Sequence, residues 1–139
     1  MSRKGSKQIS EQIIEKYDIK TPSVYHQVKK LSGGNIQKVL LGREINLAPQ
    51  LLVTAYPVRG LDIGASYQIY NLLNSQKQDG VGIIFIGEDL DVLMALCDRI
   101  MVLSHGEVMD IVPADKVTKE QLGMLMLGHK NFDTEGHND

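Results

Sequence analysis

The sequence has 139 residues, 42% apolar and 23% charged, with 15 basic against 17 acidic side chains and a formal net charge of -2. That is the make-up of a soluble globular chain long enough for one cooperative core and too short for two, and its balanced charge excludes the concentrated basic surface of a general nucleic-acid binder. No apolar run nears the roughly 18 residues that cross a bilayer as a helix, and no apolar block follows the basic residues at the start, so neither a span nor a secretory signal is expected.

Arg3, Lys4 and Lys7 make a basic start that reads as a frayed terminus, with a local phosphate contact as the alternative. Ile9, Ile13, Ile14 and Tyr17 then recur at helical spacing, and Thr21-Pro22 is expected to close that helix. Val24 to Leu31 is a weaker segment ending at Ser32-Gly33-Gly34, and from Asn35 a second helix gathers Ile36, Val39, Leu40 and Arg43 near one face until Pro49 stops it. Leu51 to Ala55 reads as a buried strand with Pro57 and Gly60 in the loop after it. A helix follows over Ser66 to Gln76, then a turn at Asp79-Gly80 and a nearly continuous apolar strand from Val81 to Ile86, of the kind covered on both faces by helices. Leu90, Leu93, Met94 and Cys97 mark another helix. Cys97 is the only cysteine, which excludes an internal disulfide or a cysteine-held zinc and fits a reducing compartment. Ile100 to Leu103 and Glu107 to Ile111 read as a hairpin about His105-Gly106. Thr118 with Gln121 forms a capping box for a last helix whose Leu122, Leu125 and Met126 face the core, and residues 129–139 read as a flexible tail.

Strands alternating with helices predict an α/β fold with a parallel sheet flanked by helices. No GxxxxGK[ST] phosphate loop occurs anywhere in the chain. The segment LSGGNIQK, Leu31 to Lys38, sets a serine and two glycines at the start of a helix. Amides of a first helical turn point outward with a polarity that suits an anion, whereas a plain helix cap would use the same residues. From these residues alone both remain open. His26, His105, His129 and His137 lack ligand spacing, and Glu88, Asp89 and Asp91 suit a helix start better than a metal site.

LSGGN followed by Gln37 and Lys38 resembles the signature motif of ABC transporter ATPases. Leu51 to Tyr56 falls where that family has its Walker B strand, and Pro57 to Asp62 resembles its D-loop. Residues 83 to 108, IIFIGEDLDVLMALCDRIMVLSHGEV, resemble its switch region and the strand and hairpin beyond. The likeness runs over residues 24 to 112, and the forms LSGGN, RGLDIGA and EDLD are similar to the second nucleotide-binding domain of importers for simple sugars and nucleosides.

The resemblance implies a partial P-loop NTPase core over residues 1–128 that lacks the Walker A strand, the C-terminal part of a nucleotide-binding domain. It implies that Ser32, Gly33, Gly34, Asn35 and Gln37 meet ATP held by an opposing nucleotide-binding domain, and that Asp62 couples the two composite sites. ATP and magnesium are expected only in a complete assembly, with membrane permease subunits, an extracellular substrate-binding protein acting indirectly, and a place on the inner face of the cell membrane. The family's Walker B strand ends in carboxylates for magnesium and water, where this chain has Ala55 and Tyr56, and the switch histidine position holds Glu88. Neither alanine nor a neutral phenol replaces those carboxylates, and an anionic Glu88 would repel a phosphate. A degenerate site and no ATP hydrolysis by the isolated chain follow, with Tyr56 expected to close the vacated pocket, packing against a nucleotide being the alternative, and Arg59 open to a phosphate, a partner carboxylate or plain solvent. A nucleotide-independent structural or regulatory module that binds a partner is the alternative.

In the family the phosphate-loop strand lies between the strands that Val81 to Ile86 and Ile100 to Leu103 resemble. Without it those two strands close the gap, another chain fills it, or free edges invite a non-native homo-oligomer.

Overall fold

In the computed structural model, which describes residues 3–129, chain order runs α1 (Arg3–Lys16), a single 3-10 turn (Val28–Lys30), α2 (Gly33–Ile45), β1 (Leu51–Ala55), α3 (Ile63–Gln78) and β2 (Gly82–Ile86). It continues through α4 (Leu90–Leu96), β3 (Arg99–Ser104), β4 (Glu107–Pro113) and α5 (Lys119–Met126). Where length suggested one core, the chain divides after Ile86 into two compact units.

In the first unit the basic start is helical from Arg3 onward, not frayed. Helix α1 ends at Lys16, short of the expected Thr21-Pro22, because the chain turns through Asp18 at φ 48°. The buried stripe of α2 is Leu41, Gly42 and Ile45, and Leu40 and Arg43 are exposed. Apolar spacing missed this face because it passes through a glycine. A methyl on Gly42 would stand 2.6 Å from Tyr17 Cδ2 and 2.9 Å from Ile13 Cγ2, so α1 and α2 approach more closely there than any other residue permits.

Strands β1 and β2 pair in parallel, from Leu51 opposite Gly82 to Ala55 opposite Ile86. One face carries Leu52, Ile83 and Phe85 against Ile69 and Leu73 of α3 and the helices α1 and α2. The other face holds Leu51, Val53, Ile84 and Ile86, all exposed. The expectation of strands buried on both faces is thus corrected: the apolar residues are present on both sides, but among the described residues helices cover only one.

In the second unit β3 and β4 form an antiparallel hairpin whose two-residue turn has His105 at φ 52° and Gly106 at φ 80°. Positive angles at both positions give the turn twist that matches paired strands. β4 runs on to Pro113, and a bulge follows Val102. The capping box forms as expected, with Thr118 N donating to Gln121 Oε1 at 2.9 Å and Gln121 N to Thr118 Oγ1 at 3.2 Å. Leu122 and Leu125 are fully buried, but Met126 is exposed, since one further residue turns it about 100° off their stripe. Residues 130–139 of the expected flexible tail lie outside the described residues.

Among the described residues hydrogen bonding joins β1 to β2 in one sheet and β3 to β4 in another. No described helix is long and apolar enough to cross a membrane.

Gly42→Ala is expected to cost about 1–3 kcal/mol by overpacking, read from the urea midpoint by circular dichroism. Gly123→Ala in α5, where an added methyl meets nothing within 4 Å, is expected to gain about 0.5–1 kcal/mol by the helix preference of alanine.

Candidate functional site

The start of α2 is held against the start of α3. A methyl on Gly33 would stand 3.0 Å from Leu61 Cδ2, and one on Gly34 3.0 Å from Ala65 Cβ. These glycines thus serve packing, and the approach they allow sets the signature segment beside the loop after β1. That loop turns at Tyr56 and Gly60, both at positive φ, with Arg59 N bonded to Tyr56 O and Leu61 N to Val58 O. Asp62 caps α3, its Oδ1 accepting from Ala65 N at 2.9 Å.

Between the two helix starts lies an open cleft of about 390 Å³, lined by Ser32 to Asn35 and Gly60 to Asp62 on two sides and by Asp18, Lys20 and Lys38 on a third. The structure thus brings together Ser32, Gly33, Gly34, Asn35 and Asp62. Gln37 is not part of the lining. Ser32 occupies the N-cap position of α2, yet its side chain caps no backbone amide. It accepts instead from Asn35 Nδ2 at 2.9 Å, and Asn35 Oδ1 accepts from Lys20 N at 3.0 Å.

Sequence reasoning missed Lys20 and Asp18, and took Lys38 only as part of the motif. Lys20 Nζ lies 2.6 Å from Asp18 Oδ1, and Lys38 Nζ donates to Asp18 O at 3.2 Å. Lysine paired this closely holds the Asp18 carboxyl below the usual carboxylate range: the hydrogen bond from Lys20 does most, its charge adds to this, and Lys38 contributes less. The one signal available was the spacing of Asp18, Ile19 and Lys20, whose buried middle member faces the core and turns its neighbours outward.

At the end of β1, Ala55 and Tyr56 are both exposed, so Tyr56 does not close a pocket as expected. Its ring lies under the Arg59 guanidinium, 5.7 Å from centroid to Cζ, and its amide donates to Ile86 O at 2.8 Å. The lining offers an anion backbone amides and a hydroxyl, and its two lysines are matched in number by the carboxylates of Asp18 and Asp62, whereas the strand end offers a cation no carboxylate.

In the second unit Glu88 is exposed ahead of α4. Asp89 caps that helix, its Oδ1 accepting from Asp91 N and Val92 N, and Asp91 pairs with Lys119. These acids serve the helix start, and no group of residues suited to a metal ion exists among the described residues.

No family model matches the chain. It is 41% identical over 117 residues to the L-arabinose transport ATP-binding protein AraG of Geobacillus stearothermophilus, covering 84% of this chain and 23% of that protein. It is 41% identical over 121 residues to the ribose import ATP-binding protein RbsA of Clostridium perfringens, covering 87% and 24%. It is 40% identical over 116 residues to the guanosine import ATP-binding protein NupO of Bacillus subtilis, covering 84% and 23%. The chain thus spans about a quarter of the length of these relatives. A nucleotide-free ATP-binding cassette from an ABC transporter superposes with a TM-score of 0.75 at 21% identity, over 88% of this chain and 48% of that one. The dimeric bacterial ABC transporter cassette MJ0796 gives 0.68 at 23% identity, over 84% and 50%. At these identities the structures establish the fold.

The Asp18 carboxyl is expected to titrate below an ordinary aspartate, and Lys20→Met is expected to raise its midpoint, followed by carbon-13 shifts. An unchanged midpoint would show that the pair does not form in solution.

Proposed function

The chain belongs to the ABC transporter ATP-binding proteins over the quarter of their length that it shares, and on that premise we propose that it supplies the signature surface of a nucleotide-binding domain in an importer of simple sugars or nucleosides. The observation that carries this function is the cleft where Ser32, the first amides of α2 and Asp62 meet.

A terminal phosphate fits that cleft. The opening amides of a helix have no intrahelical acceptor and point along its axis. Gly33 and Gly34 place no side chain over them, and Lys20 and Lys38 line the cleft, both engaged with Asp18. Magnesium finds no fit at Ala55 and Tyr56, which offer no carboxylate oxygen. The role left to this chain is to close over a phosphate that an opposing nucleotide-binding domain holds on its own phosphate loop. ATP with magnesium, bound in the complete assembly, supplies the phosphoryl transfer that drives transport. Ser32 would donate to a phosphate oxygen, and Gly33 and Gly34 would present their amides. Asp62 fixes the start of α3 on the wall of the same cleft, which suits a coupling role. Glu88 would bring charge of the wrong sign for a phosphate contact. The complete protein would act with permease subunits on the inner face of the cell membrane, on a substrate delivered by an extracellular binding protein.

The exposed apolar row of Leu51, Val53, Ile84 and Ile86 favours one rival function, a nucleotide-independent module that docks a partner on that face. Calorimetry separates the two. ATP with magnesium is expected to bind only when the chain is mixed with a cassette domain carrying a phosphate loop, and Ser32→Ala is expected to weaken that binding about tenfold, the worth of one hydrogen bond to a charged group. Partner binding indifferent to ATP and to Ser32 would establish the rival. Turnover by the chain alone above a magnesium-free control, lost on a substitution within it, would overturn the degenerate site.

A further inference from the structure

We propose that Asn35 is a positioning residue that aims the Ser32 hydroxyl hydrogen into the cleft, in place of touching phosphate itself. This rests on the assignment of Ser32 as the donor to phosphate.

A serine at an N-cap ordinarily accepts from an amide of the first turn. Ser32 caps none, and its Oγ lies 2.9 Å from Asn35 Nδ2. The two ends of an asparagine carboxamide look alike, so its orientation has to be fixed by partners. Here one partner decides. The backbone N–H of Lys20, 3.0 Å away, can only donate, so the end facing it is the oxygen and the end facing Ser32 is the NH2. That NH2 can only donate, so Ser32 Oγ must accept.

A hydroxyl has one hydrogen and two lone pairs. With Oγ engaged as acceptor, its hydrogen is free to turn elsewhere, and no acceptor among the described residues takes it. Ser32 is exposed on the cleft wall, so a ligand oxygen there meets a donor. The same clamp occupies the Asn35 oxygen, which would repel an anion, with the Lys20 N–H. The anchor is firm because Ile19, next to Lys20, is buried in the core with Tyr17. Asn35 therefore ties the segment after α1 to the signature serine.

The test is a double-mutant cycle on the full chain, mixed with a cassette domain carrying a phosphate loop and titrated with ATP and magnesium. The Lys20 amide proton shift reports the clamp. Asn35→Ala is expected to move that proton upfield and to weaken binding about threefold to tenfold. In a Ser32→Ala background the same change is expected to cost less than about twofold, because residues that act through one another are not additive. Asn35→Asp keeps the acceptor for Lys20 N–H but cannot donate to Ser32. It serves if the alanine variant fails to fold, since the repulsion of its charge is common to both backgrounds and cancels. It is expected to leave the Lys20 proton in place and to lose affinity more with Ser32 present than without it. Equal penalties in both backgrounds would overturn the proposal and leave Asn35 as a direct ligand contact or a fold element. An unmoved Lys20 proton in Asn35→Ala would overturn the clamp. If Ser32→Ala alone leaves ATP binding unchanged, the assignment of the cleft fails and the positioning role falls with it.

Discussion

Helix α2 lies so close to its neighbours that side chains are missing where it touches them. At Gly42 it meets the ring of Tyr17, and at Gly33 and Gly34 it meets Leu61 and Ala65, with no room for a methyl at the first and a tight fit at the other two. The two ends of the helix are thereby referenced to different elements, one to α1 and the residue after it, the other to Leu61 and the first turn of α3. The site inherits its geometry from this double attachment. Ser32 stands beside Asp62 because the glycines let the helix start come that near, and Asn35 reaches Lys20 because α1 and the segment after it are drawn onto the same helix. The glycines that line the cleft are thus demanded by packing alone. Their loss would widen the cleft and disturb the core together.

The sequence carried the elements well where local chemistry is self-sufficient. The hairpin turn at His105-Gly106 and the Thr118–Gln121 box stand where their residues predicted them, since each rests on neighbours within a few positions. What failed depends on partners distant in the chain. The run of Val81 to Ile86 is as apolar as a strand covered on both faces, but apolarity states what a face requires and not what lies over it. Alternate residues of both strands remain exposed, Leu51 at 54% and Val53 at 56% among them. The buried face of α2 was missed for a related reason, since a glycine at a close crossing gives no apolar signal although it is the most intimate point of contact.

The site was legible in a similar proportion. Ser32 to Asn35 and Asp62 were readable as motifs, and the structure sets them on one cleft. Lys20 and Asp18 were not, because their place depends on a turn at Asp18 and on Ile19 inserting into the core. Gln37 lies within the signature stretch but off the cleft, which follows from helical rotation: two residues beyond Asn35 it has turned about 200° around the axis.

The end of β1 shows why a catalytic constellation and its scaffold can part company. Ala55 pairs with Ile86 and Tyr56 N bonds Ile86 O, so backbone pairing and not the side chains sets where the strand ends. Both side chains are exposed, Tyr56 at 42%, and carry no part of the core. Tyr56 does bear a cost, because left-handed backbone is unfavourable by about 1–2 kcal/mol for a residue other than glycine. Its stacking with Arg59 returns about 0.5–1 kcal/mol at an exposed position, enough to offset part of the strain. The identity of these two side chains is therefore nearly neutral for the fold. A change at Gly33 or Gly34 presses on the fold and the cleft together. The same physics that leaves the end of β1 outside the core ties the start of α2 to the structure that carries it.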